Sequence, residues 1–169
     1  MKLKTVANIL PFISASNVLG QTSQPIAGLA IDSRKAATDY LFAAIVGWQQ
    51  DGHLFIEAAI ANGARVVVCS TWPQQLHPHV TYVQVPNSSE ALALIACEFY
   101  DHPSKGLKLV GVTGTNGKTT IATLLYQLFT GLGYKCGLIS TVQNVIGGTI
   151  IPAAYTTPDA ISINALLQQ

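Results

Sequence analysis

Short apolar runs alternate with stretches of helical periodicity through the first hundred residues of the chain. The runs are rich in Val, Ile, Leu and Ala and lie between turn signals, which is typical of strands covered on both faces. Between two of them, apolar residues recur at helical spacing until Asn62-Gly63, a typical helix end. The alternation predicts an α/β fold with mainly parallel strands. The predicted strands are 26–32, 41–46, 65–69 and 81–85, and the predicted helices are 4–10, 54–61 and 88–100.

The pattern changes at 101–106, where Asp, Pro and Gly are typical of a linker. The apolar run 107–112 then predicts a strand, and the helical spacing in 121–129 predicts a helix, with a loop rich in Gly and Thr between them. We therefore predict two domains, 1–104 and 105–169. The other elements predicted for the second domain are a strand at 135–140, a hairpin turning at Gly147-Gly148 and a helix that opens at Pro158-Asp159.

The loop of the second domain has the composition of a phosphate-binding loop. Gly114 and Gly117 let backbone N–H groups approach phosphate oxygens, and the following helix presents an N-terminus that favours anions. Lys118 adds a positive charge, and the Thr119 hydroxyl is placed to bind the magnesium that accompanies ATP. We predict Lys118 and Thr119 as catalytic residues. The predicted ATP-binding set is Gly114, Thr115, Asn116, Gly117, Lys118, Thr119 and Thr120, with Thr119 as the metal ligand.

This loop departs from the general motif at one position, and it has an alternative interpretation. The general phosphate-loop pattern needs Gly at position 112, where this chain has Val112, and its nearest glycine is Gly111. The alternative is that the loop only connects a strand to a helix and that Lys118 is a solvent-exposed lysine at the helix start. A lysine in the first turn is unfavourable because its positive charge lies at the positive end of the helix dipole. A bound anion would offset this repulsion, which favours the phosphate-binding interpretation.

Polar residues follow two predicted strands of the first domain, where α/β folds usually bind ligands. Asp32, Ser33 and Arg34 follow the first strand, and an ordinary turn stabilised by Asp and Ser is an equally good interpretation. Trp48, Gln49 and Gln50 follow the second and combine an aromatic ring with amide groups, which suits a base or a sugar as well as a turn. For His53, at the start of the next helix, an ordinary position in the cap region is favoured over ligand contact.

Composition excludes several functions. Charged residues make up 10% of the 169 residues and the net charge is +1, so the chain lacks the basic surface of a nucleic-acid-binding protein. No apolar run approaches the roughly 20 residues that a membrane-spanning helix needs. The three cysteines, Cys69, Cys97 and Cys136, lie far apart in apolar surroundings. They predict buried thiols and a cytoplasmic protein rather than disulfides or a metal site.

Three stretches together resemble the Mur ligase family, which builds the peptide stem of bacterial peptidoglycan. The string GTNGKTT, at 114–120, matches the family's loop, which the folylpolyglutamate synthetases share. The stretches beginning LAIDSRKAATDY and IPAAYTTPDA match in order and spacing, and they favour the branch that adds the third residue of the stem. The resemblance implies an N-terminal UDP-binding α/β domain followed by the truncated start of a P-loop ATP-binding α/β domain.

The resemblance also implies roles for individual residues. Ile31 and Ser33 would hold the uridine end of a UDP-N-acetylmuramoyl-dipeptide, and the loop Trp48, Gln49, Gln50 would close around it. Thr156 and Thr157 would bind the muramoyl-dipeptide end, although Thr before Pro158 is also a common helix cap. Many family members have a substrate-contacting asparagine where this chain has Tyr155. ATP and Mg²⁺ would activate a carboxylate as an acyl phosphate, with Lys118 and Thr119 stabilising the transferred phosphoryl group.

Family members are much longer, so the resemblance implies a partial chain that lacks the site for the incoming amino acid and is inactive alone. The added residue is diaminopimelate or lysine, and the stretch GLISTVQNVIGG favours diaminopimelate. One other interpretation is a folylpolyglutamate synthetase, but we have no reason to expect the DSR and TTPD strings in that enzyme. Another is a non-catalytic UDP-sugar-binding module, but such a module would not need a triphosphate-binding loop with Lys118. A small complete NTPase is a further alternative, but no second strand ending in Asp follows the loop.

Overall fold

The chain forms two compact units, Met1–Asp101 and His102–Gln169. The computed structural model describes residues 3–47, 50–152 and 158–169. In chain order the elements of unit 1 are strand β1 (Lys4–Thr5), helix α1 (Val6–Ile9), strands β2 (Asn17–Leu19), β3 (Pro25–Ile26), β4 (Gly28–Ala30) and β5 (Tyr40–Ala43), helix α2 (Ile56–Ala61), strands β6 (Val66–Cys69) and β7 (Thr81–Gln84), and helix α3 (Ser88–Phe99).

Unit 1 is built on a five-stranded sheet in the order β2-β7-β6-β5-β4. Neighbouring strands from β4 to β7 pair in parallel, and β2 adds an antiparallel edge beside β7. The α/β prediction with mainly parallel strands is therefore confirmed. A separate two-stranded ladder joins β1 to β3.

Both faces of this sheet are covered, which explains the uninterrupted apolar runs of its strands. On one face Phe42, Val67 and Tyr82 pack with Ile56 and Ala59 of α2. The intervening strand residues point to the opposite face, because successive side chains of a strand alternate. There α3 lies near β5 and α1 lies near α3. Each of the fully buried side chains on these strands therefore contributes to one of two packed layers.

Three predicted elements of unit 1 are shorter than expected. The predicted helix 4–10 begins only at Val6, because Lys4 and Thr5 pair with the strand β3. The predicted strand 26–32 pairs in the sheet only over Gly28–Ala30, since Pro25–Ile26 belongs to the other ladder. The predicted strand 41–46 ends at Ala43. The apolar runs therefore predicted where these elements lie along the chain but not where they begin and end.

Unit 2 contains a hairpin and two helices. Its elements are helix α4 (Lys118–Gly131), strands β8 (Leu138–Ile139), β9 (Gln143–Ile146) and β10 (Thr149–Pro152), and helix α5 (Ala160–Gln168). The hairpin turn at Gly147-Gly148 is confirmed, with Ile146 paired to Thr149 and positive φ at both glycines. All pairs in this sheet are antiparallel, unlike the parallel sheet that a P-loop domain implies.

The predicted strand 107–112 is wrong. These residues form no strand, and Leu109 and Val110 are 60% and 69% exposed. A strand needs backbone partners for its N–H and C=O groups, and no strand lies beside this run in the described part of unit 2. The predicted strand 135–140 is likewise reduced to Leu138–Ile139, which pairs with β9.

Burial differs strongly between the units. In unit 2, among the residues that the structure describes, the buried apolar side chains are Leu138 and Val145. Exposed apolar side chains on α4 include Ile121, Leu124 and Leu128. The hydrophobic core expected from the apolar content of the chain therefore lies in unit 1.

The cysteine prediction is confirmed in part. Cys69 is buried in the core of unit 1, and this burial raises the pKa of its thiol to about 11. Cys97 and Cys136 are free thiols but only half-buried. Among the helices that the structure describes, none is long and apolar enough to cross a membrane.

Candidate functional site

The carboxyl ends of four parallel strands meet at one edge of the sheet in unit 1. Ile31 to Ser33 follow β4, the segment from Ala44 onward follows β5, Ser70 follows β6, and Asn87 leads from β7 into α3. Open α/β sheets bind their ligands at this edge. The structure therefore brings three of the predicted substrate residues, Ile31, Ser33 and Gln50, to the edge where a ligand site is expected.

The turn after β4 is held by an Asp–Arg pair. The Asp32 carboxylate accepts the backbone N–H of Arg34 at 3.0 Å and caps the short 3₁₀ turn Ser33–Lys35. The Arg34 guanidinium also donates to it, with Nη2 2.7 Å from Oδ2. These bonds lower the pKa of the Asp32 carboxyl to about 2. Asp32 is thus engaged in shaping the turn, as the interpretation of an ordinary turn expects.

Ser33 is the first residue of this turn and is only 7% exposed. Its carbonyl accepts Nδ2 of Asn62 at 2.9 Å, a contact that joins the end of α2 to the turn. Asn62 was expected only to end that helix, so its second role was missed. Ile31, one residue beyond β4, is 38% exposed and so remains accessible beside the turn.

The segment after β5 forms a loop with a fixed base. Val46 and Asp51 face each other in an antiparallel bridge, and the Gly47 N–H donates to the Gln50 carbonyl at 3.0 Å. Gly52 closes the base with its N–H 2.8 Å from the Ile45 carbonyl. A Cβ at Gly52 would lie 2.7 Å from the backbone of Ile45, so only glycine fits.

The tip of this loop holds three of the predicted substrate residues. Gln50 is exposed. Trp48 and Gln49 lie outside the described residues, as do Tyr155, Thr156 and Thr157 of the second domain. The helix α5 is capped by the Asp159 carboxylate, which accepts the Ser162 N–H at 2.8 Å.

His53 connects the loop base to the neighbouring strand. Its Nδ1 lies 2.6 Å from Oδ1 of Asp51, and its Nε2 accepts the Ser70 N–H at 3.0 Å. The cap of this 3₁₀ turn is Asp51, which accepts the His53 N–H at 2.9 Å. His53 therefore lies in the cap region of this turn, and its ring in addition bridges two segments.

A cavity of about 180 Å³ lies at the same edge of the sheet. It is lined by Val46, Ser70, Asn87, Ser88 and Ser89, among others. Ligand pockets usually measure about 300 to 1,000 Å³, so this one accommodates only part of a nucleotide. The Asn87 side chain caps α3 by accepting the N–H groups of Ser89 and Glu90, which leaves hydroxyl groups as the main polar lining.

In unit 2 the start of α4 differs from the start of the other long helices. Asn87 and Asp159 cap α3 and α5 with their own side chains, whereas α4 begins at Gly117, which has no side chain to do so. Gly117 has φ +78° and Gly114 has φ +150°, so the loop adopts conformations that glycine favours. The first turn of α4 thus keeps the open N-terminus that an anion needs.

Lys118 folds back over this loop. Its ammonium donates to the carbonyl of Gly114 at 2.6 Å and to that of Thr115 at 3.2 Å. Thr119 lies in the same turn, and its hydroxyl oxygen is 3.4 Å from that of Thr141, which follows β8. Sequence reasoning missed Thr141, because 22 residues separate it from Thr119 and nothing in its local pattern marks it. Asn116 and Thr120 complete the predicted set and are both exposed.

The oxygen donors beside Lys118 suit a magnesium ion, which prefers oxygen ligands. Among the described residues no group of three or more His, Cys, Asp or Glu side chains comes together. The hydroxyls of Thr119 and Thr141, which lie close together, could hold a magnesium ion together with phosphate oxygens.

Comparison with known proteins gives two family matches that together span most of the chain. The Mur ligase family, catalytic domain, matches residues 25–100, and the Mur ligase middle domain matches residues 112–169. The chain belongs to the Mur ligase family. Within it, the UDP-N-acetylmuramoyl-L-alanyl-D-glutamate--2,6-diaminopimelate ligases of Phocaeicola vulgatus and Bacteroides fragilis are 48% and 50% identical to this chain over 167 residues. Each alignment covers 99% of this chain and 34% of the relative.

Solved Mur ligase structures share the fold. A 2,6-diaminopimelate ligase of the same type superposes with a TM-score of 0.72 at 28% identity, covering 98% of this chain and 33% of that one. A MurF structure from Acinetobacter baumannii gives a TM-score of 0.62 at 18% identity, which supports the fold alone. This Mur ligase chain thus spans about a third of the length of the relatives it matches, which agrees with the expectation of a partial chain.

Proposed function

We propose that this chain contains the UDP-substrate-binding region and the beginning of the ATP-binding region of an amide-forming ligase. The full protein would add meso-diaminopimelate to UDP-N-acetylmuramoyl-L-alanyl-D-glutamate during peptidoglycan synthesis. The observation that carries the proposal is the start of α4, where an uncapped helix, two glycines with positive φ and Lys118 form a site for a triphosphate. The similarity to diaminopimelate ligases favours diaminopimelate over lysine as the added residue.

The proposed reaction has two steps. The side-chain carboxylate of the D-glutamate attacks the γ-phosphorus of ATP, giving an acyl phosphate and ADP. The amine of the incoming amino acid then attacks the acyl carbon, so that an amide forms and inorganic phosphate leaves. Bound magnesium would supply charge neutralisation at the phosphate oxygens.

Residues of this chain would contribute positioning and charge to the first step. Lys118 would exchange its contacts with the carbonyls of Gly114 and Thr115 for oxygens of the β- and γ-phosphates. The open N–H groups at the start of α4 would receive the remaining phosphate oxygens. Thr119 would bind magnesium, with Thr141 as a second hydroxyl beside it. None of these residues forms a covalent bond in the reaction.

In unit 1 the proposed substrate site lies at the carboxyl edge of the sheet. Ile31 and Ser33 would contact the uridine end, and Gln50, with Trp48 and Gln49, would cover it. The support is the position of Ile31, Ser33 and Gln50 in the segments that follow two adjacent parallel strands, β4 and β5. For the muramoyl-dipeptide end we propose Tyr155, Thr156 and Thr157.

The two regions have different proposed tasks. Residues 1–104 would bind the UDP substrate, and residues 105–169 would begin the ATP-binding domain. We place the site for the incoming amino acid outside these 169 residues, so this chain alone would bind substrates without turnover. We also propose a cytoplasmic location, which the free thiols of the described cysteines support.

The test is calorimetric titration of the chain with UDP-N-acetylmuramoyl-L-alanyl-D-glutamate and, separately, with Mg-ATP. The expected result is saturable binding of both, with the UDP ligand weakened by Ser33→Ala and ATP weakened by Lys118→Met. Ser104→Ala, a change at an exposed position outside both proposed sites, is the control. If the folded chain binds neither ligand, the proposal is wrong for this chain. Retained UDP binding in Ser33→Ala would remove Ser33 from the site.

A further inference from the structure

The His53 side chain forms hydrogen bonds on both sides of its ring, next to the loop that follows β5. Its side chain is 13% exposed, and both ring nitrogens are engaged. On one side Nδ1 contacts Oδ1 of Asp51 at 2.6 Å. On the other, Nε2 faces the N–H groups of Ser70 at 3.0 Å and Thr71 at 3.3 Å, with the Ser70 hydroxyl at 3.1 Å. A surface histidine that merely begins a helix would not need four such partners.

The backbone partners define the protonation of this ring. An amide N–H only donates, so Nε2 must accept, and the ring proton therefore lies on Nδ1 and is donated to Asp51. The bonds from the His53 backbone and ring lower the pKa of the Asp51 carboxyl, so this acceptor is ionised at neutral pH. The neutral Nδ1–H tautomer thus connects a carboxylate on one segment to an amide on another.

The two segments joined in this way are the base of the loop and the end of β6. Asp51 forms the bridge with Val46, and Gly52 bonds the Ile45 carbonyl, so Asp51 belongs to the loop stem. The Ser70 carbonyl in turn accepts Nε2 of Gln84 at 3.1 Å, which extends the connection to β7. His53 is therefore the side chain that ties the loop stem to two neighbouring strands.

We propose that His53 is a positioning residue for the UDP substrate: it holds Gln50 and the loop stem in their binding shape by fixing Asp51 against Ser70. The inference rests on the proposed function, in which Gln50 covers the nucleotide. Without the ring, the stem would keep its own backbone bonds but lose the link between Asp51 and Ser70. Gln50 would then sample other positions, and the substrate would have to order it on binding.

A second histidine of unit 1 provides a matched control. His77 also pairs with a carboxylate, Glu57, at 2.8 Å, and its backbone N–H donates to the Tyr82 hydroxyl at 3.1 Å. It precedes β7, at the amino edge of the sheet, away from the proposed substrate site. Removing the His77 ring therefore deletes a comparable histidine–carboxylate contact without touching the loop.

The first experiment titrates the whole chain with UDP-N-acetylmuramoyl-L-alanyl-D-glutamate. For His53→Ala we expect a dissociation constant raised about tenfold, the upper range for one lost hydrogen bond. His53→Gln should recover most of the affinity, because its amide oxygen can accept the Ser70 N–H. His77→Ala should bind like the wild type, even if it melts at as low a temperature as His53→Ala. An affinity for His53→Ala within twofold of the wild type, after correction for the folded fraction, would overturn the proposal.

A second measurement works without ligand. Amide hydrogen exchange at Ser70, Gly47 and Gly52 should accelerate in His53→Ala, and return towards the wild-type rate in His53→Gln. Unchanged exchange at all three amides would overturn the positioning role whatever the ligand does. If the wild type fails to bind the UDP ligand although exchange changes as expected, the proposed function is wrong and the structural connection through His53 stands.

Discussion

Replacing Lys118 by Met tests the triphosphate site most directly. The ammonium donates two hydrogen bonds to loop carbonyls, at 2.6 Å and 3.2 Å, and bound ATP would replace these neutral acceptors by charged phosphate oxygens. Hydrogen bonds to charged groups contribute about 1.5 to 3 kcal/mol net. The two carbonyl bonds that must break offset part of this gain, so we expect a loss of about 1.5 to 2 kcal/mol in Lys118→Met. That corresponds to a roughly 10- to 30-fold weaker affinity for Mg-ATP.

The assay is a fluorescence titration of the chain with a labelled ATP analogue, in the presence and absence of Mg²⁺. Lys108→Met is the matched control, because it removes one lysine charge from an exposed position outside the loop. The melting temperature of Lys118→Met should stay close to that of the wild type, since this lysine is exposed. Equal ATP affinities of Lys118→Met and Lys108→Met would refute the assignment of Lys118.

Three further predictions concern single side chains. Thr141→Val should weaken Mg²⁺-dependent ATP binding severalfold while leaving Mg²⁺-free binding unchanged, as measured by the same titration; equal losses in both would contradict a role near the metal. The pKa of the Asp32 carboxyl is lowered to about 2, so its stabilising effect is present above its ordinary value of 3.8 and lost as pH falls towards 2. The difference in melting temperature between the wild type and Asp32→Asn should therefore shrink on acidification, and a constant difference would exclude this linkage. Asn87→Ala removes a side-chain cap from two amides of α3 and should cost about 1 kcal/mol in urea unfolding, whereas Ser89→Ala at the same helix start should cost less.

The sheet of unit 1 was predictable from the sequence because its strands are covered on both faces. Val66, Val67 and Val68 are all fully buried, and such a run has few alternatives to a central parallel strand. The hairpin of unit 2 was also predictable from the sequence, since two adjacent glycines separate segments in which apolar and polar residues alternate. Both glycines have positive φ in the structure. In both cases the signal is local to the segment that folds.

The errors arose where the outcome depends on distant partners. The run 107–112 is as apolar as a strand, yet no strand lies beside it in the described part of unit 2. The contacts of His53 with Ser70 and of Thr119 with Thr141 join residues 17 and 22 positions apart. Their pairing follows from strand order, which the apolar pattern does not specify. The family resemblance identified the type of site, but it gave no indication of these contacts.

The unequal burial of the two units has a consequence for how this chain unfolds. Unit 1 has two packed layers around its sheet, whereas Leu138 and Val145 are the buried apolar side chains in the described part of unit 2. Unit 2 should therefore open at a much smaller free energy than unit 1, as a separate cooperative unit. A protease should first cleave within 107–112, whose exposed extended backbone suits a protease active site. A nucleotide present at a hundred times its dissociation constant would add about 2.7 kcal/mol to the stability of unit 2, making it a ligand-dependent folding unit.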